Sequence, residues 1–158
     1  MPVLKIFTHP SAYLRKNSSR IKKKYLEIGE AQRFIDDMIE TMRAAKGIGL
    51  AAPQVGKNIR IIVVLDGDKP LVFINPTLYR KSLRKVEVEE GCLSVPGVWG
   101  MVKRHIALSV SAMDRNGKKF RMRAKTGMLP IILQHEVDHL NGILFIDRAK
   151  EYTVPPKK

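Results

Sequence analysis

The apolar side chains of one N-terminal segment recur with the period of a helix. They occupy every third or fourth position between residues 28 and 45: Ile28, Ala31, Phe34, Ile35, Met38, Ile39, Met42 and Ala45. This spacing places them on one face, so it predicts an amphipathic helix that packs against the rest of the protein. Gly47 follows the segment and is suited to end the helix.

Most of the remaining pattern is typical of short strands. Residues 59–65 and 71–74 are apolar runs, the first rich in β-branched side chains, and they flank an Asp-Gly-Asp turn, which predicts two joined strands. Residues 102–113 and 118–124 flank an Asp-Arg-Asn-Gly segment. Asn-Gly between two strand-like runs is a strong signal for a β-hairpin, so antiparallel pairing is expected here.

A second helix is predicted over residues 130–141, with Pro130 in its first turn and Gly142 at its end. No repeat and no change in composition divides the sequence. We therefore expect one α+β domain, residues 1–158, in which antiparallel β-sheets pack around this central helix. Residues 148–158 are expected to form a short, frayed C-terminal tail.

The chain carries an unusual excess of positive charge. Its 158 residues include 29 Lys and Arg against 15 Asp and Glu, a formal net charge of +14. Such a charge attracts polyanions, so a ribosome or nucleic-acid surface is a candidate partner, although a basic solvated surface explains the charge equally well. Residues 1–26 hold seven basic and no acidic side chains. Because two prolines interrupt this segment and it lacks a helical period, we interpret it as a basic loop of the mature protein and not as an organelle-targeting peptide.

Two further features restrict the class of protein. No run of 18 apolar residues occurs, so no membrane partner is expected. Cys92 is the single cysteine, which excludes a framework of internal disulfides and fits a reducing, cytoplasmic compartment. Its thiol remains to be explained by burial, reactivity or metal binding.

The second predicted helix contains the sequence His-Glu-Val-Asp-His at residues 135–139. Histidines four positions apart lie on one helix face, where both can reach a single metal ion. Glu136 lies on the neighbouring face, as expected for a general base that is not itself a ligand. The flanking residues are apolar and predict a buried helix, in which two unpaired imidazoles would be costly. A metal site is therefore the favoured interpretation.

Two histidines do not complete a catalytic metal site, which usually has three protein ligands. The candidates for the third ligand are Cys92, Glu89, Glu90 and Asp147, and each implies different chemistry. Cys92 lies in the segment E-G-C-L-S-V-P-G, where two glycines and a proline favour a shaped backbone over a regular strand.

Residues 47–56 read G-I-G-L-A-A-P-Q-V-G. The glycine spacing does not match a dinucleotide-binding fingerprint, and a helix precedes it where a strand would be required. Small residues instead permit a ligand to approach the backbone closely. Gln54 could donate a hydrogen bond to a carbonyl oxygen, or it could be a solvated loop amide.

Taken together, residues 47–54, 90–94 and 134–139 resemble the three signature motifs of the peptide deformylase family, G-x-G-L-A-A-P-Q, E-G-C-L-S and Q-H-E-x-D-H. The motifs occur in the family's order, and the similarity extends over most of residues 25–147. The resemblance implies the peptide deformylase fold and the hydrolysis of the N-formyl group from the initiator methionine of nascent polypeptides, with release of formate.

The resemblance also implies roles for individual residues. One divalent ion, by resemblance Fe²⁺ with Zn²⁺, Ni²⁺ or Co²⁺ as alternatives, would be held by Cys92, His135 and His139. Glu136 would act as the acid and base, and the Gln54 side-chain amide and the Leu93 backbone N–H would stabilise the oxyanion. The pocket for the methionine side chain and the substrate backbone would be formed by Ile48, Gly49, Val88, Met128, Ile131 and Ile132. Asp138 and Arg104 are candidates for a buried supporting pair.

Two alternative functions remain open at this point. A zincin-like metallopeptidase would need a third ligand downstream of His139, where Asp147 and Glu151 are available. A basic ribosome-binding module with a degenerate site would bind without catalysis. Any ribosome contact would use a basic surface, such as the N-terminal basic cluster or Lys118, Lys119, Arg121 and Arg123. No sequence-specific nucleic-acid binding is expected.

Overall fold

Two antiparallel sheets and a helix between them form the framework of the computed structural model, which describes residues 2–158. The helices are α1 (Lys23–Leu26), α2 (Gly29–Ala44) and α3 (Leu129–Leu140). The strands are β1 (Gly49–Ala51), β2 (Ile61–Asp66), β3 (Lys69–Tyr79), β4 (Lys85–Cys92), β5 (Val95–His105), β6 (Leu108–Met113), β7 (Lys119–Ala124) and β8 (Glu151–Val154). The predicted α+β class, with antiparallel sheets around the C-terminal helix, is confirmed.

The larger sheet has the strand order β1-β2-β3-β6-β7 and is covered on both faces. In β2, Ile61 and Val63 belong to the apolar cluster formed with α2, whereas Ile62 and Val64 belong to the cluster formed with α3. Successive strand residues point to opposite faces, so an uninterrupted apolar run is what a strand covered on both sides requires. One face of the larger sheet therefore packs against α3, and the opposite face packs against α2.

The smaller sheet has the order β4-β5-β8 and brings Cys92 toward α3. Cys92 is the last residue of β4 and pairs with Val95, and the register is irregular between Glu90 and Cys92. The shaped backbone expected over residues 90–97 is present: the register is irregular between Glu90 and Cys92, Leu93 and Ser94 form a turn, and Gly97 adopts a positive φ of 74° within β5.

Two details of the expected strand pattern are corrected. The run of residues 102–113 is divided between β5 and β6, with a break at Ile106 and Ala107. The tail expected to fray contributes β8, which pairs with β5 from Trp99 to Met101 although its four residues are exposed. Backbone pairing with the edge of β5 fixes this segment. Because such pairing does not require buried side chains, the sequence of β8 need not carry an apolar pattern that would predict a strand. The hairpin of β6 and β7 around residues 114–117 is confirmed.

None of the helices within residues 2–158 combines the length and the apolar character that crossing a membrane would require.

Candidate metal centre

Helix α3 places both histidines of the His-Glu-x-x-His sequence inside the protein. It begins at Leu129 with Pro130 in the first turn, where the missing N–H costs no helical hydrogen bond. Leu133 and Leu140 are fully buried against the larger sheet and anchor the helix. His135 and His139 consequently face the smaller sheet, from which Cys92 approaches.

The predicted ligand set converges. The potential ligand atoms of Cys92, His135 and His139 all lie within 4.8 Å of one another. The Cys92 Sγ atom is 3.2 Å from the His139 Nε2 atom, and the Ser94 backbone N–H donates to the same sulfur over 3.4 Å. Two soft or borderline nitrogen donors and a sulfur at this separation are a suitable site for one transition-metal ion.

A buried ion-pair network orients His135. The His135 Nδ1 atom is 2.7 Å from the Glu90 Oε1 atom, so its Nε2 atom is free to face the other two ligands. Arg104 donates to Glu90 through Nε at 2.7 Å and Nη2 at 2.9 Å. Burial by itself would raise the pKa of Glu90, but hydrogen bonds from Arg104 and His135 hold it at about 2. Glu90 is therefore a charged support for a ligand, as is common around metal-binding histidines.

The same network continues to Asp138, which confirms the pairing with Arg104 that the sequence suggested. Arg104 Nη1 donates to Asp138 Oδ2 over 2.7 Å, and Arg148 donates to both carboxylate oxygens at 2.7 and 2.9 Å. The contributions of Glu90 and Arg148 were not recognised from the sequence. Arg148 lies in the segment that the sequence predicts to fray, and the sequence predicts a ligand role for Glu90 but no supporting role.

The remaining candidates for the third ligand are not placed as ligands. Asp147 is bound to Arg15 on the surface. Glu89 lines the cavity beside the centre but does not belong to the cluster of ligand atoms. Of the candidates left open by the spacing, Cys92 is the one whose ligand atom lies close to those of both histidines.

The two imidazoles differ in their electrostatics. Burial, together with repulsion from His135, lowers the pKa of His139 well below its ordinary value, which leaves its ring neutral. Burial opposes protonation of His135 as well, but hydrogen bonds with Cys92 and Glu90 raise its pKa well above the ordinary value. A metal ion binding at the centre would displace that proton, because the coordinating nitrogen must be deprotonated.

Glu136 lies beside the ligands without joining them. Its side chain is buried, and its Oε2 atom has no hydrogen-bond partner among the described residues. Burial raises the pKa of Glu136 to about 7. Gly49 lies directly against this carboxylate, since a Cβ atom at Gly49 would overlap the Glu136 side chain. The second glycine of the first motif, Gly49, is therefore required because a larger residue would displace the Glu136 carboxylate.

A cavity of about 610 Å³ opens onto this centre and is mostly apolar. Five of the six residues expected to contact substrate line it, namely Ile48, Gly49, Met128, Ile131 and Ile132. Ile131 and Ile132 are buried, whereas Ile48 and Met128 are half exposed at the mouth. Val88 is not among the lining residues, although Glu89 and Glu90, which follow it on β4, are.

Trp99 was not identified from the sequence. It lines the cavity while remaining 44% exposed, and its indole ring packs over Gly91, where a Cβ atom would lie 3.0 Å away. Two features of the sequence could have identified it. Trp99 is the single tryptophan of the chain, and it lies seven residues after Cys92 on β5, the strand that pairs with β4.

Gln54 and Leu93 both line the cavity next to the ligands. The Gln54 Oε1 atom accepts a hydrogen bond from the Ala51 N–H at 2.9 Å, so the NH₂ end of the amide faces Ser94 Oγ at 3.1 Å and Cys92 Sγ at 3.6 Å. The alternative of a solvated loop amide is excluded, since Gln54 is buried.

Comparison with known proteins assigns this arrangement to one family. The model of the polypeptide deformylase family matches residues 3–154. The peptide deformylase of Desulforudis audaxviator is 43% identical over 150 residues, which are 94% of this chain and 95% of that protein. The peptide deformylase of Dictyoglomus thermophilum is 46% identical over 141 residues, 89% of each chain.

A solved structure agrees with these relatives. The Acinetobacter baumannii peptide deformylase bound to Met-Ala-Ser superimposes with a TM-score of 0.89 at 32% identity, covering 93% of this chain and 98% of that one. The chain therefore belongs to the polypeptide deformylase family, whose members are metal-dependent amide hydrolases that remove the formyl group from N-terminal methionine.

Proposed function

We propose that the chain deformylates N-formylmethionyl peptides at the centre formed by Cys92, His135, His139 and Glu136. The observation that carries the proposal is the buried carboxylate of Glu136 beside three converging potential metal-ligand atoms at the end of an apolar cavity. One oxygen of this carboxylate has no hydrogen-bond partner within residues 2–158. A buried polar atom without a partner is costly unless a ligand completes it, so the site is prepared to receive a polar reacting group.

The donor set fits the implied divalent ion. Cys92, His135 and His139 would hold it, and the Ser94 N–H and Glu90 stabilise the thiolate and one imidazole from behind. When bound, such an ion polarises a carbonyl group and lowers the pKa of water. We propose Fe²⁺ as the native ion, with Zn²⁺, Ni²⁺ and Co²⁺ as alternatives that the same three donors accept.

Glu136 moves the proton in the proposed reaction. Its carboxylate takes a proton from the attacking water and then delivers it to the amine nitrogen as the formamide C–N bond breaks, which yields formate and a free N-terminus. The side chain is held against Gly49 and shielded from bulk solvent. It can therefore exchange protons with the substrate without competition from other hydrogen-bond partners.

Gln54 and Leu93 stabilise the developing negative charge. The Gln54 amide is fixed by its bond to the Ala51 N–H, so its NH₂ group is already oriented when substrate arrives. Leu93 follows Cys92 in the turn between β4 and β5, and its backbone N–H is the second proposed donor. Preorganised donors of this kind each stabilise a transition state by about 3 kcal/mol.

The cavity accommodates the methionine side chain. Ile131 and Ile132 form a buried apolar wall, and Ile48 and Met128 flank the entrance. A flexible thioether is well suited to such a lining. The tripeptide Met-Ala-Ser bound to the Acinetobacter baumannii enzyme supports a peptide that begins with methionine as the product.

The decisive experiment measures formate release from formyl-Met-Ala-Ser by anaerobically purified, metal-analysed protein. We expect Cys92→Ala to lose the metal and all activity, and Gln54→Ala to retain the metal while turnover falls about 100-fold. An inactive wild type with a fully occupied site would contradict the proposal. Retention of metal by Cys92→Ala would instead favour a metallopeptidase-type centre that uses a downstream carboxylate.

We also propose that the chain works in the cytoplasm as one catalytic domain and contacts the ribosome through its basic surface. The support is the net charge of +14 and the outward basic side chains of β7, where Lys119, Arg121 and Arg123 are exposed and alternate with Phe120 and Met122. Co-sedimentation with ribosomes tests the contact. Arg121→Glu is expected to weaken it in low salt, whereas an unchanged pellet fraction would oppose this role for β7.

A further inference from the structure

We infer that a second cavity, on another face of α3, binds the phosphate groups of an anionic ligand. This cavity has a volume of about 520 Å³, and it is lined by Gln134, Val137 and Asp138 of α3 and by Asn141, which follows the helix. Seven cationic side chains line it: Arg20, Arg60, Lys81, Lys85, Lys103, Arg104 and Arg148. Asp138 is the single carboxylate in the lining.

The one carboxylate does not neutralise this charge. Asp138 already accepts three hydrogen bonds, from Arg104 and Arg148. Lys103 makes only a long contact of 3.9 Å with Glu87, which lies outside the cavity. Arg20, Lys81 and Lys85 have no carboxylate within 4.0 Å among residues 2–158. The cavity therefore keeps several uncompensated cations.

The guanidinium group of Arg60 is fixed in the cavity by hydrogen bonds to the fold. Its Nη1 atom is held by neutral acceptors at the end of α3, the Leu140 carbonyl at 3.2 Å and the Asn141 Oδ1 atom at 3.0 Å. Burial and the nearby charge of Arg20 lower the pKa of Arg60. Two like charges held together in a partly desolvated position cost free energy that an incoming anion would recover.

The arginine and lysine side chains that line the cavity favour phosphate groups as the ligand. Guanidinium groups fixed by the fold match the oxygens of phosphate in paired, planar contacts, and lysines at the rim add long-range attraction. The volume is in the range of small-ligand sites. Such phosphates occur on nucleoside polyphosphates and along the RNA backbone, and recognition of phosphate alone carries no base-sequence preference.

Paired charge variants test the site in the full-length, metal-loaded protein. The cavity variant is Arg20→Ala/Lys81→Ala/Lys85→Ala, and the control Lys69→Ala/Lys125→Ala/Lys150→Ala removes the same charge from exposed positions outside the cavity. Calorimetry with inorganic tripolyphosphate and ATP, and fluorescence anisotropy with a short oligouridylate, are performed at about 0.1 M salt.

We expect wild type to bind one anion per chain. The Kd of the cavity variant should be about tenfold higher than that of the control. For oligouridylate, the slope of log Kd against log salt concentration should be about two lower in the cavity variant. Tight ATP binding without tight oligouridylate binding identifies a nucleotide source, and the reverse identifies RNA. Equal weakening in both variants, or no binding by wild type, overturns the inference. Unchanged melting temperature and metal content show that each variant is folded.

Discussion

Helix α3 carries two buried carboxylates, two residues apart, whose surroundings are opposite. Glu136 faces the cavity, and its Oε2 atom has no partner among the described residues. Asp138 faces the second cavity and accepts three hydrogen bonds from Arg104 and Arg148. The exposed fractions of the two residues are similar, 4% and 7%. Burial therefore does not distinguish a reactive carboxylate from a structural one, whereas satisfaction of its hydrogen bonds does.

The difference follows from what each carboxylate faces. The Asp138 side chain is held by Arg104 and Arg148, so its removal should affect folding. Glu136 is shielded and incompletely bonded, and burial raises its pKa to about 7. Its removal should affect turnover alone. Four substitutions test this separation.

The largest effect is expected for Glu136→Gln. The amide keeps the shape of the side chain but cannot transfer a proton, so we expect kcat to fall about 1,000-fold. Formate release from formyl-Met-Ala-Ser measures the change, and the metal content should match wild type because Glu136 is not a ligand. A decrease of less than tenfold would remove Glu136 from the proposed reaction.

Asp138→Asn should destabilise the fold and leave the chemistry intact. Breaking a buried charge network leaves Arg148 unpaired and Arg104 with Glu90 alone, which costs about 3 kcal/mol in the free energy of unfolding. Urea denaturation of the metal-loaded protein measures this loss. The kcat of the folded, metal-loaded fraction should stay near wild type, and a loss of turnover comparable to that of Glu136→Gln would contradict the separation of roles.

Gly49→Ala tests the support of Glu136 by a change outside the carboxylate. The added Cβ would overlap the Glu136 side chain, and overpacking of this kind costs ~1–3 kcal/mol. We expect kcat to fall about tenfold as the carboxylate is displaced. Gly29→Ala is the matched control because a Cβ there would contact nothing within 4 Å. Equal activities of the two variants would show that the position of Glu136 is not limiting.

The helices and the hairpin were accessible from the sequence because their signals are local. The period of three to four residues predicted α2 over residues 28–45, and Pro130 near the start with Gly142 at the end predicted α3 over residues 130–141, each within one residue of the observed ends. The strand β8 was not accessible, since its exposed residues are held by backbone pairing to β5, a segment about 50 residues earlier. Such pairing depends on a partner edge and not on the side chains of the tail.

In the candidate site, too, some residues could be predicted from local sequence and others only from the tertiary structure. The spacing of His135 and His139 on one helix predicted two ligands from helical geometry alone, and the structure places their ligand atoms within 4.8 Å of each other. The choice of Cys92 over Glu90 needed the tertiary structure, because both lie at the end of β4 and only the position of Arg104 shows that Glu90 is already paired. The resemblance to a known family named Cys92, and the ion-pair network supplies the physical reason.

The smallest effect should come from a third carboxylate, Asp147, which pairs with Arg15 where both side chains are 39% exposed. The Arg15 hydrogen bond lowers the pKa of Asp147 below its ordinary value. Stability from this pair is therefore fully present above the unfolded pKa of about 4 and is lost as the pH falls through the folded pKa. Asp147→Asn should lower the free energy of unfolding by less than about 1 kcal/mol at pH 7, because solvent screens an exposed pair. The difference from wild type should shrink below pH of about 4 and in high salt, as measured by urea denaturation. A loss as large as that of Asp138→Asn would show that exposure does not separate the two pairs.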